Sequence, residues 1–137
     1  MPVPNVRPLN SEKYEISKHR FLELYHFCMQ YPEWKEELKY ITDTVKSIQI
    51  TDMPTSHNYK DQTAELAERR ARLSKKCEII EQTAIEADAE LYPWILEGVT
   101  QEYVTYRYLK TSKHIPCGKD MYYNRRRKFY YLLSKKI

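Results

Sequence analysis

Residues 119–135 read KDMYYNRRRKFYYLLSK, and this stretch decides how the end of the chain folds. A helix turns about 100° per residue, so each side chain can be assigned to one side of a helical wheel. The apolar side would hold Tyr122, Phe129, Leu132 and Leu133. The opposite side would hold Asp120, Tyr123, Asn124, Arg127 and Tyr131, flanked by Lys119 and Tyr130. The pattern therefore predicts a helix that buries one side and presents a polar, basic side to solvent.

Positive charge is concentrated at this end of the chain. From residue 98 onward there are ten Lys and Arg against two Asp and Glu, a net charge of +8. The preceding 97 residues carry a net charge of −4, so the overall +4 conceals the asymmetry. Concentrated positive charge attracts polyanions and steers association with them.

A shorter helix is predicted just before this one. Gly98 suits the C′ position that ends a short apolar turn, and Thr100 suits the N-cap of a helix running to about residue 110. Residues 111–118 then form a connector whose turn is filled by Ile115. Two short helices with a basic second helix are typical of a helix-turn-helix, which predicts that residues 98–137 bind double-stranded DNA.

The residue types on the basic side suit DNA. Arg127 can form two hydrogen bonds with guanine, and Asn124 can do so with adenine. Arg126, Lys128 and Lys135 lie nearer the sides of the helix, where they would contact phosphates. The candidate DNA-binding residues are Lys119, Tyr123, Asn124, Arg126, Arg127, Lys128, Tyr130, Tyr131 and Arg107.

Tyrosines are also concentrated at this end. Seven of the thirteen follow residue 98, a distribution that also fits stacking on single-stranded bases. We expect Tyr122 and Tyr103 to be core aromatics rather than stacking platforms.

The rest of the chain is predicted to be helical, which makes the fold class all-α. Only two glycines occur, too few for a turn-rich β fold. Prolines make residues 1–10 an extended arm, and Ser11 caps a helical hairpin over 11–48 that is divided at Tyr31 and Pro32. A polar linker loop over 49–60 precedes a segment over 61–97, whose long helix runs to about residue 91.

No constellation typical of an enzyme is present. Phosphate-binding loops, nucleophile elbows and dinucleotide fingerprints are missing, so we expect no catalysis and no cofactor. His114 and Cys117 have ligand-like spacing, but zinc takes about four ligands, and we expect no metal. Cys117 precedes a helix start, where a thiol pKa can be lowered. A structural role in the turn is the favoured interpretation.

Composition also predicts the compartment. Apolar runs are a few residues long, far below the roughly 20 needed to span a bilayer. Three widely spaced cysteines without an export signal indicate reduced thiols in the cytosol.

Three segments carry a resemblance to a known family. They are PTSHNYKDQTAELAERRARL at 54–73, EIIEQTAIEADAELYPWIL at 78–96 and IPCGKDMYYNRRRKF at 115–129. Together they resemble phage late-transcription regulators of the RinA/ArpU type, which combine a polar linker, a long charged helix and a helix-turn-helix like region four of sigma factors. The resemblance covers about the C-terminal 60% of the chain and leaves the N-terminal hairpin with Trp34 unmatched.

The resemblance implies a phage or prophage transcriptional activator that acts in the bacterial host cytosol. Its recognition helix, about 119–135, would enter the major groove. The N-terminal helices would form a homodimer or contact RNA polymerase or another protein complex.

Two other functions fit the same residues. The basic side could belong to a phage-encoded inhibitor, such as an anti-CRISPR protein, that grips a nuclease–nucleic-acid complex. Co-purification with that complex, without preference among DNA sequences, would identify it. The chain could also be a small terminase subunit, which a ring of eight or more copies in light scattering would indicate.

Overall fold

The computed structural model describes residues 14–51 and 57–137, with side chains described for residues 14–44 and 62–137. These ranges form six helices and contain no strand, which confirms the all-α prediction. The helices are α1 (Lys18–Met29), α2 (Tyr31–Thr51), α3 (His57–Ala87), α4 (Tyr92–Thr100), α5 (Tyr106–Ser112) and α6 (Lys119–Ser134). None of them is long and apolar enough to cross a membrane within the part of the chain that is described.

The chain divides into two compact units. Within the described residues, the first contains 14–30 and 79–137, and the second contains 31–51 and 57–78. This division corrects the predicted hairpin over 11–48. The α1 helix belongs to the first unit, where it packs against α4 and α6, whereas α2 belongs to the second.

The core of the first unit is built by α1, α4, α5, α6 and the end of α3. Its fully buried apolar side chains are Leu24, Cys28, Ile80, Ala84, Ile95, Val99, Leu109, Ile115, Tyr122, Phe129 and Leu133. Fully burying one Val, Leu, Ile or Phe side chain stabilises a fold by about 1.5–3 kcal/mol. The packing of these side chains therefore holds the helices of the first unit together.

Helix α1 begins later than the sequence suggests. Its N-cap is Ser17, whose hydroxyl oxygen accepts a hydrogen bond from the Arg20 amide at 3.2 Å. The predicted cap, Ser11, lies outside the described residues. On α1, Leu24 and Cys28 are enclosed, while Phe21 and Tyr25 are half-buried.

Gly98 was predicted to end a helix, but it lies inside α4. A Cβ atom at this position would overlap the hydroxyl of Tyr122 on α6. Glycine is therefore required by the close approach of α6 to α4, and not by a left-handed backbone.

The predicted start of the helix over 100–110 is also wrong. Thr100 ends α4, and its hydroxyl donates to the Leu96 carbonyl at 2.7 Å. The next helix, α5, begins at Tyr106 with Thr105 as its N-cap. Tyr103 lies between these helices with a φ of 65° and is 93% exposed, so it is not the core aromatic we expected.

The second unit pairs α2 with the first part of α3. Trp34, Ile41, Leu73 and Cys77 are buried there, and the Lys76 ammonium lies 5.1 Å from the centroid of the Trp34 ring. Of the predicted linker over 49–60, residues up to Thr51 continue α2 and residues from His57 begin α3. Residues 52–56 lie outside the described part.

Candidate nucleic-acid interface

The α6 helix presents a strip of polar residues on the side opposite Tyr122. We call the residues Tyr123, Asn124, Arg127, Lys128, Tyr131 and Lys135 the α6 strip; Lys135 is exposed and the others are half-buried. Behind the strip, Tyr122, Phe129 and Leu133 are each at most 1% exposed and anchor α6 in the core. The strip therefore occupies a fixed position on a rigid helix, which a reading surface requires.

Helix α5 and the connector that follows it are held in place by hydrogen bonds to main-chain carbonyls. The Ile115 amide donates to the Leu109 carbonyl at 3.0 Å, and both side chains are buried. The Tyr106 hydroxyl donates to the Cys117 carbonyl at 2.6 Å, and the Trp94 indole donates to the Lys113 carbonyl at 2.8 Å. These bonds fix the turn that Ile115 was predicted to fill.

Most cations of this segment have no carboxylate partner. Ion pairs join Arg125 to Asp88 at 2.9 Å, Lys136 to Glu86 at 2.9 Å and Lys113 to Glu97 at 4.0 Å. The remaining seven form no ion pair with any described carboxylate: Arg107, Lys110, Lys119, Arg126, Arg127, Lys128 and Lys135. Of the candidate residues among them, Arg107 and Lys119 are exposed.

Tyr130 does not belong to the predicted surface. It is 2% exposed, and its ring packs edge-on against Phe21 of α1 at a centroid distance of 4.9 Å. Its hydroxyl is enclosed without a hydrogen-bond partner among the described residues, and burial raises the pKa of Tyr130. The wheel could not show this, because it contains no information about α1.

Arg126 is half-buried beside two aromatic rings. Its guanidinium carbon lies 5.1 Å from the Tyr130 ring centroid and 5.9 Å from that of Phe21. A guanidinium held over aromatic faces is stabilised by the ring quadrupoles. The contact of Arg126 with phosphates stays a prediction.

Residues of α1 and of the segment before it also contact the far end of the strip. Tyr14 packs against Tyr131 at a centroid distance of 5.6 Å, and the Lys135 ammonium lies 4.9 Å from the Tyr131 ring. The Arg20 guanidinium donates to the main-chain oxygens of Ser134 and Ile137, which secures the end of α6. The open part of the strip is thus narrower than the wheel predicts and centres on Asn124 and Lys128.

Arg127 has an unsatisfied donor. Its Nε is enclosed and has no hydrogen-bond partner in the described structure, and burial lowers the pKa of Arg127. An enclosed donor without an acceptor costs about 1–3 kcal/mol, so Arg127 occupies this position at a cost in stability. Tyr123 lies next to it in the strip and packs edge-on against Tyr122 at 5.0 Å.

Two residues that the sequence did not single out, Asp88 and Arg125, are joined to the strip. The Arg125 Nε donates to Asp88 Oδ2 at 2.9 Å, and its Nη1 donates to Asn124 Oδ1 at 2.8 Å. Asp88 was assigned to a long helix, whereas it follows the end of α3 and precedes α4. Asp88 and Arg125 are 37 residues apart in the sequence, so no local pattern predicts that they pair.

The described residues contain no group of three or more His, Cys, Asp or Glu side chains that could hold a metal ion. Cys117 does not have the lowered thiol pKa that its position allowed. Its pKa is raised, by burial first and then by the negative charge of Asp88.

Comparison with protein-family models, with curated proteins and with solved structures finds no match to this chain.

Proposed function

We propose that the chain binds double-stranded DNA through the α6 strip. The observation that supports this most is the set of cations on α5 and α6 that pair with no carboxylate among the described residues; those of α6 stand on a helix whose opposite side is buried. A single run of basic residues is common on solvated surfaces. Unpaired cations on one side of an anchored helix are instead suited to a polyanion.

The dimensions of α6 fit the major groove. Sixteen residues make a helix about 24 Å long, and the groove is about 12 Å wide and admits one helix. In this arrangement Arg127 would bond guanine and Asn124 adenine. Lys119, Lys128, Lys135 and Arg107 would neutralise phosphates.

The resemblance to RinA/ArpU-type regulators extends this proposal to a task. The chain would be a phage or prophage transcriptional activator in the host cytosol. It would act as a homodimer and contact RNA polymerase. These assignments depend on the resemblance and remain separate from the DNA-binding proposal.

Fluorescence anisotropy with random-sequence duplexes tests DNA binding directly. Lys128→Ala should weaken binding uniformly across sequences and reduce the slope of log affinity against log salt by about 1. Arg127→Ala should instead relax the sequence preference. Lys75→Ala is the matched control, since Lys75 is an exposed lysine of the second unit. Absence of any DNA affinity at low salt would refute the proposal.

A further inference from the structure

A chain of hydrogen bonds leads from the turn between α3 and α4 to the centre of the α6 strip. It runs from Asp88 through the guanidinium of Arg125 to the side-chain amide of Asn124. Asn124 is the member of the strip suited to reading adenine, so the chain ends at a base-reading group.

Asp88 is held rigidly at the start of this chain. Its Oδ1 accepts hydrogen bonds from the amides of Glu90 and Leu91, each at 2.9 Å, which leaves Oδ2 for Arg125. Its side chain is 13% exposed. Burial alone would raise the pKa of Asp88, but the hydrogen bonds from Leu91, Arg125 and Glu90 lower it, so the carboxylate is ionised at neutral pH.

Arg125 uses two different nitrogens for its two partners. Because Nε is bound to Asp88, the plane of the guanidinium is fixed and Nη1 is directed at Asn124. Arginine can only donate, so the Asn124 atom that faces it must be the carbonyl oxygen Oδ1. The bond therefore decides which way the Asn124 amide points.

We propose that Asp88 and Arg125 are positioning residues that hold the Asn124 amide in the orientation that reads adenine. The Asn124 Oδ1 keeps a second lone pair for the adenine N6 amino group, and its Nδ2 donates to adenine N7. A reversed amide would present a donor to N6 and an acceptor to N7, both mismatched. This inference rests on the proposed DNA binding and adds to it the base that Asn124 selects.

The experiment begins with selection of bound sites from a library of random 20-bp duplexes by the full chain. The measured quantity is a ratio: the Kd for the selected site with its preferred adenine replaced, divided by the Kd for the selected site itself. A good bidentate contact makes this ratio about fivefold to a hundredfold. Asp88→Asn should reduce the ratio at least twofold, toward 1, while affinity for random duplexes changes less than twofold.

Glu86→Gln is the matched control. It breaks a different ion pair, that of Glu86 on α3 with Lys136 just past the end of α6 at 2.9 Å, without touching Asn124. It should leave the ratio unchanged. Arg125→Lys covers the case in which Asp88→Asn does not fold: lysine keeps the charge beside Asp88 but lacks the planar guanidinium that fixes the direction of the bond to Asn124, so the ratio should fall.

A double-mutant comparison separates positioning from general stability. Asn124→Ala should abolish the adenine preference, and Asp88→Asn should then have no further effect on the ratio. An adenine preference unchanged in both Asp88→Asn and Arg125→Lys would overturn the inference while leaving DNA binding intact. Failure of the natural chain to bind any duplex would instead refute the proposed function.

Discussion

Gly98→Ala is expected to reverse the usual effect of replacing a helix glycine. In an exposed helix, alanine is more stable than glycine by about 1 kcal/mol. At Gly98 the new Cβ would overlap the hydroxyl of Tyr122, whose side chain is 1% exposed. Overpacking of this kind costs about 1–3 kcal/mol, so after subtraction of the gain from alanine the net loss of stability should be up to about 2 kcal/mol.

Thermal unfolding followed by circular dichroism measures this loss. For a chain of this length the Tm should fall by up to about 6 °C. Removing the hydroxyl in Gly98→Ala/Tyr122→Phe should restore at least half of it, because the next ring atom of residue 122, Cζ, lies 3.2 Å from the Cβ position. A higher Tm for Gly98→Ala, or no recovery in the double variant, would contradict the close approach of α6 to α4.

Three further predictions concern charge and reactivity. Arg126→Met should leave the free energy of unfolding unchanged or raise it, because methionine fills the space beside Phe21 without a dehydrated charge; urea denaturation checks this, and a loss above about 2 kcal/mol would contradict it. The pKa of Asp88 is lowered in the folded protein, so its carboxylate stabilises the fold above about pH 4, and this contribution is lost as pH falls through the pKa of folded Asp88. The difference in the free energy of unfolding between the natural chain and Asp88→Asn should therefore be largest at pH 7 and shrink in acid. A difference that stays constant with pH would exclude the pairing. Burial raises the pKa of Cys28 to about 12, and Cys77 is also buried, so a thiol reagent at pH 7 should label Cys117 quickly and the other two on unfolding; rapid labelling of all three in the native protein would be inconsistent with this core.

The last helix could be predicted from the sequence because its signals are local. The apolar positions from Tyr122 to Leu133 repeat at helical spacing within one continuous stretch, and α6 ends one residue before the predicted position. Residues 98–105 were misassigned because Gly98 resembles a helix terminator. Its actual role depends on Tyr122, which lies 24 residues later in the sequence.

The candidate site could likewise be predicted only where its signals are local to α6. Exposure of Lys119 and Lys135 follows from the wheel. Burial of Tyr130 and the orientation of Arg126 depend on α1, which contacts α6 across more than 100 residues of sequence, as the bond from Arg20 to Ser134 illustrates. Contacts at such separations arise from tertiary packing, which periodicity along one helix does not encode.

Each of the two units contains one of the two tryptophans, so the fluorescence of each unit can be followed separately. Trp34 is 7% exposed in the second unit, and Trp94 is half-buried in the first, with its indole bound to Lys113. The fluorescence of Trp34→Phe therefore reports on the unit that contains α6, and that of Trp94→Phe reports on the other. Coincident unfolding curves would mean that the two units melt as one cooperative body, and separated curves that the α6 unit keeps its structure independently.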